Sequence, residues 1–144
     1  MLYEKLQTMY ITLNNLKIDS RNRIFCTIEG VISENFTEKE VNARQVFKSK
    51  LYITNSQTQK NLINTIYTID KSTKNVFASP SILLNFWHPE IFKPYKDLLK
   101  KGTKIKAQGM ITFKVYKRDY GEKRLHLFFA VNKLLDVKSP ALTN

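Results

Sequence analysis

Ser81-Ile-Leu-Leu-Asn-Phe-Trp87 opens the stretch whose reading decides the fold, and Val137 closes it. The run is apolar and strand-like, and it ends on the chain's one tryptophan. A short amphipathic segment follows and stops at Leu98-Leu-Lys-Lys-Gly102. Next comes a basic strand with one internal glycine, Thr103-Lys-Ile-Lys-Ala-Gln-Gly-Met-Ile-Thr-Phe113. A charged turn, Arg118-Asp-Tyr-Gly-Glu-Lys-Arg124, leads into a last apolar strand, Leu125–Val137. Strand, helix, glycine, strand, charged hairpin, strand is the order of the second half of a small five-stranded barrel. Its basic and aromatic content points to a nucleic-acid ligand.

Outward from this block the signals are weaker. Arg23–Ile32 reads as a strand with Gly30 inside it, and glycine in a strand marks a bulge or sharp bend. Ser33–Asn42 is polar and reads as a turn. Arg44–Thr54 alternates, with Val46, Lys48, Lys50 and Tyr52 on one face and Phe47, Ser49, Leu51 and Ile53 on the other. Lys104–Lys117 alternates too, with Ile105, Ala107, Gly109, Ile111, Phe113 and Val115 opposite Lys104, Lys106, Met110, Lys114 and Tyr116. Asn55–Ser79 reads as a long loop with a β-prone centre, Thr65-Ile-Tyr-Thr-Ile69, able to form its own hairpin. Pro89 and Glu90 suit a helix start, and Pro94 keeps that helix short or kinked. In residues 1–20, Leu2, Leu6, Met9, Leu13 and Leu16 have helical spacing, while Met9–Leu13 is also β-prone.

Bulk properties narrow the function. The chain has 144 residues, which suits one core. Twenty-four Lys and Arg against twelve Asp and Glu give a net charge of +12, the mark of a polyanionic partner. No apolar run approaches the roughly 20 residues that span a bilayer, and no strongly basic amphipathic helix appears, so no membrane partner is expected. The N-terminus lacks the layout of a signal or transit peptide. Cys26 is the only cysteine, which excludes an internal disulfide and a cysteine-rich zinc site, and it reads as a buried, inert thiol. His88 and His126 are too few for a metal site, and no catalytic constellation is present. The expectation is a non-enzyme without cofactors.

In this layout the chain resembles the single-stranded DNA-binding proteins of bacteria and mitochondria, an oligonucleotide-binding (OB) fold. The carriers are Ile28-Glu-Gly30, the run Leu83–Trp87, the pair Lys101-Gly102, the strand Lys106-Ala-Gln-Gly109 and the turn Asp119-Tyr-Gly121. All four glycines of the chain fall at such positions. The resemblance covers Arg23–Val137. It implies a mainly β fold: a five-stranded OB barrel with one short helix between strands 3 and 4 and an extra N-terminal element. It divides the chain into an extension at 1–22, the barrel at 23–137 and a flexible tail at 138–144. The stretch between the second and third strands is longer than in the family. The end, Ser139–Asn144, lacks the family's acidic tip, which suggests a mitochondrial, phage, plasmid or other divergent member, or a related primosomal protein.

The resemblance implies single-stranded DNA binding with little sequence preference, in replication, recombination or repair, by a homo-oligomer. It would act in the cytoplasm of a bacterial, phage or plasmid system, or in a nucleus or mitochondrion. Single-strand binding needs a basic groove for phosphates and aromatic faces for bases. Lys100–Arg124 holds nine basic residues against two acids. Trp87 is the first stacking candidate, against capping the core at a strand end. Tyr52 stands on a polar face with Lys48 and Lys50, and Tyr116 beside Lys114 and Lys117. Phe128 shares a face with Arg124 and His126, whereas Phe113 falls on the core side. Lys104 and Lys106 complete the basic strand, and Arg118, Lys123 and Arg124 sit on the hairpin. Two rivals remain: an OB assembly subunit that docks a replication or telomere-type protein, and an RNA-binding OB protein.

Overall fold

The structure is a computed structural model and describes residues 10–74, 76–118 and 120–140. The strands are β1 (Tyr10–Leu13), β2 (Leu16–Asp19), β3 (Ile24–Ile32), β4 (Thr37–Val41), β5 (Arg44–Ile53), β6 (Phe77–Ala78), β7 (Ser81–Phe86), β8 (Lys104–Lys117) and β9 (Lys123–Lys138). Helix α1 (Ser56–Ile69) lies between β5 and β6, and the short α2 (Pro89–Phe92) follows β7.

Five strands close a ring. The sheet runs β3-β8-β9-β7-β5, and β5 pairs back onto β3. Closure happens at Gly30, which is in register with both Ile105 of β8 and Ile53 of β5. A Cβ there would meet the Tyr52 carbonyl oxygen at 2.5 Å, so the approach of the two backbones needs glycine. Two register shifts between β8 and β9 let the long β9 curve around the ring. Alternate residues fill the interior: Ile24, Ile28 and Ile32; Phe47, Leu51 and Ile53; Ile82, Leu84 and Phe86; Ile105 and Ile111; Leu125, Leu127 and Phe129. This is the mainly β OB barrel expected from the glycine register, with a short helix after β7.

That helix is short because Pro94 cannot continue it, and the chain passes into a 3-10 turn at Lys93–Tyr95. Its Phe92 ring stacks on Phe47 at 4.0 Å and 9°, within a cluster that includes Phe36 and Phe86.

Two readings are corrected, and one that the sequence leaves open is decided. Residues 56–69 are helical, and they form neither a loop nor a hairpin. Asn55 caps the helix, its Oδ1 accepting from the N–H groups of Gln57 and Thr58. Leu62 and Ile66, one turn apart, join the barrel core and override the β preference of Thr65–Ile69. Second, 33–42 is more than a turn, because β4 pairs with β5 through Asn42 and Ala43, both at positive φ. Third, Leu13 and Leu16 face each other in a β-hairpin whose turn residues Asn14 and Asn15 also have positive φ. Leu2, Leu6 and Met9 lie outside the described residues.

Candidate nucleic-acid interface

Strand register builds the site. Directly paired residues point to one side of a sheet, so Lys50 of β5, Leu83 of β7, Phe128 of β9 and Thr112 of β8 form one row on the outer wall. One step toward Trp87 lie Lys48, Asn85, Ala130 and Met110. In the opposite direction Tyr52 faces Ser81, and Lys114 faces His126. Tyr116 and Arg124 are the next outward pair. The wall thus carries cations and rings from β5, β8 and β9, with Ser81, Leu83 and Asn85 of β7 between them.

Beyond Ile111, β8 has only β9 as a partner among the described residues, so Thr112–Lys117 form the free edge of an arm whose other strand, Lys123–Phe128, is flanked by β6 at Arg124 and Leu125 and by β7 at Phe128. Its turn is closed by Arg118 N–H donating to Glu122 O at 2.7 Å and Gly121 N–H donating to Arg118 O at 2.8 Å. Asp119 lies outside the described residues. Tyr52 is 48% exposed and Tyr116 40%. Lys114 Nζ lies 5.0 Å from the Tyr116 ring centroid, and His126 meets the same ring edge-on at 4.7 Å.

The candidates do not all gather. Lys48, Lys50, Tyr52, Lys114, Tyr116, Arg124 and Phe128 share the outer wall and the arm. Lys117 and Lys123 face each other one register step off, on the opposite side of the arm from Tyr116 and Arg124. Trp87 stands at the far end of β7, half-buried, with the Arg44 guanidinium 5.9 Å from its ring centroid. Lys104 and Lys106 lie at the other end of β8, between β3 and β9. Eight residues at about 3.3 Å each put Lys106 some 26 Å along β8 from Lys114. Lys106 faces Glu29, with an N···O distance of 3.8 Å. Lys50 carries its own partner, Glu34, at 3.2 Å.

Arg44, Ser81, Leu83 and His126 were not among the sequence candidates. The period-two pattern of β7 was the available signal, since Ser81, Leu83 and Asn85 share the face of Trp87. An unbroken apolar run hides that alternation. Phe113 packs against the core, as its side of β8 requires. Cys26 is half-buried, and burial pushes its thiol up to about 12.

No cluster of metal-ligating side chains occurs among the described residues. Among the same residues no helix is long and apolar enough to cross a membrane.

No family model matches the chain, and no curated protein matches it in sequence. Solved structures do match. A crystal structure of the mitochondrial single-stranded DNA-binding protein Rim1 of S. cerevisiae aligns with a TM-score of 0.55 at 14% identity, over 81% of this chain and 96% of that one. A second Rim1 structure gives 0.51 at 15% identity, over 80% and 95%. The chain therefore has the OB fold of these proteins.

Proposed function

We propose that this protein, an OB barrel of the type seen in Rim1, binds single-stranded DNA with little sequence preference. One observation carries the reading: the register that lines up Lys48, Lys50, Tyr52, Phe128, Lys114, Tyr116 and Arg124 on one continuous outer wall. Cations follow the phosphates and rings stack on bases, and every base offers a face, so sequence matters little. The fold likeness to a protein described as single-stranded DNA-binding supports it. The wall suits holding a strand, and the protein acts as a binder without catalysis, in replication, recombination or repair.

The test uses Trp87, the chain's one tryptophan. Oligo(dT) is expected to quench its fluorescence at low salt, and the quench to fade as salt rises. Unchanged fluorescence together with no mobility shift would overturn the reading. Matched RNA oligomers compete in the same assay and decide between the two nucleic acids.

A homo-oligomer belongs to this reading. β1 is an edge strand, with Tyr10 46% and Ile11 59% exposed, and open edges pair with other chains. Solution mass with and without an oligonucleotide tests it. A stable heteromer that co-purifies, with weak DNA binding by the chain alone, would favour the docking alternative.

A further inference from the structure

The proposed wall is not uniform. Between the β5–β7 pair and the base of the arm lies a pocket of about 180 Å³. Lys50, Arg118, Arg124 and His126 line it, together with Ser81 and Leu83. The three permanent cations come from three separate parts of the chain: β5, the turn of the arm, and β9. A site for a drug-sized ligand spans roughly 300–1,000 Å³. This pocket is smaller, and suits a phosphate group with part of one nucleotide.

The pocket also stands at an end. The outer face of β7 runs from Trp87 down to Ser81, where the chain enters the strand through Ser79 and Pro80. Ser79 lines the pocket, and Pro80 O accepts a hydrogen bond from Ile53 N–H at 3.1 Å. β6 is paired to β9 beside Arg124 and Leu125. A strand that follows β7 from Trp87 meets the cations where the protein's own backbone occupies the continuation.

Charge favours a strong anion there. Glu34 lies 3.2 Å from Lys50, and Glu122 lies 3.2 Å from Arg124. A ligand must compete with both carboxylates. An internal phosphodiester brings one negative charge, while a terminal phosphate brings about −1.5 to −2 at neutral pH and three strong acceptor oxygens. Arginine matches such a group through its planar fork of donors. Resting on the single-strand-binding reading, we infer that this pocket receives the terminal phosphate of a strand and so fixes one end of the nucleic acid on the protein.

The experiment compares four matched oligo(dT) probes on the full chain at low salt: 5′-phosphorylated, 3′-phosphorylated, carrying both phosphates, and carrying neither. Affinity is read by competition against one labelled strand. Phosphate at one end only is expected to tighten binding about tenfold, the effect of one charge-assisted hydrogen bond. The Arg118→Gln variant, altered at an exposed turn, should bring that ratio to one. Lys133→Gln removes an equal charge from β9 away from the pocket and should keep it. Equal affinity of all four probes overturns this inference and leaves strand binding standing. Equal gains from either end overturn it as well, since they report charge alone. Failure of every probe to bind overturns the functional reading itself.

Discussion

Lys114 Nζ lies over the ring of Tyr116 at 5.0 Å from its centroid, and both side chains project from the free part of β8. The ammonium covers one face of the ring, so a base would stack on the opposite face or displace it, and one small patch offers both a cation and a ring. Tyr116→Ala is expected to weaken oligo(dT) binding by about 1–3 kcal/mol, the range for one base–aromatic stack. Tyr52→Ala should do the same from the other side of the wall. Both rings are well exposed, so thermal midpoints should hold. A variant that melts early without losing affinity would show that the ring serves packing instead.

Salt dependence separates the cations. For single strands the slope of log K against log salt falls by about 0.7 for each phosphate contact. Lys114→Gln and Arg124→Gln are each expected to flatten the slope by roughly that amount. Lys106→Gln should change it less, because Lys106 lies at the other end of β8 beside Glu29. A slope that responds equally to all three would put the strand on a path that runs the length of β8.

The barrel was legible because β8 and most of β5 keep a period of two and the glycines mark where backbones close. Ile105, Ile111, Leu125 and Phe129 fall inward as their spacing requires. α1 was not legible, because Thr65-Ile-Tyr-Thr-Ile69 is β-branched and aromatic, and what makes it helical is the cap at Asn55 and burial of Leu62 and Ile66 against distant strands. β4 was missed because Thr37–Glu40 is solvent-exposed throughout and shows no alternation. The candidate site was legible as residue types. Its assembly depends on which strands pair, and that pairing separates Lys104 and Lys106 from Lys114 although all lie on one strand.

Asp19, 7% exposed, organises the β2–β3 turn. It accepts from the N–H groups of Arg21 and Arg23, both at 2.9 Å, and from Arg23 Nε at 2.7 Å. Burial pushes its carboxyl up, but the bonds from Arg23 and Arg21 outweigh that and hold it below its ordinary value. A carboxylate lowered in the folded state stabilises fully above its unfolded value, near 3.9, and loses that contribution as pH falls through the folded value. Asp19→Ala is expected to cost about 1–2 kcal/mol at neutral pH, on the low side because the Arg23 side chain is 38% exposed and screened. Urea midpoints should show the gap narrowing as pH falls below the ordinary carboxylate value. A gap independent of pH would assign the effect to the backbone of the turn.

Gly109 sits at a close approach of β8 to β9, beside a register shift. A Cβ built there collides with the Ala130 carbonyl oxygen and comes within 2.9 Å of Phe129 Cε1. Neither neighbour can yield, since Ala130 is paired in the ladder and Phe129 fills the core at 0% exposure. Gly109→Ala must therefore separate the two strands on which the arm is built. The expected cost is about 1–3 kcal/mol or somewhat more, as for overpacking elsewhere, read as a lower denaturation midpoint. Because Lys114, Tyr116, His126 and Arg124 all stand on these strands, the folded fraction should also bind oligo(dT) more weakly than the wild-type chain. Gly121, in the open turn of the arm, is the contrast. Among the described residues nothing lies within 4 Å of a Cβ there, so Gly121→Ala carries chiefly the strain of its φ of +86°. It should cost less than Gly109→Ala. Equal losses at the two positions would mean that backbone conformation, and not the β8–β9 contact, sets the requirement for glycine.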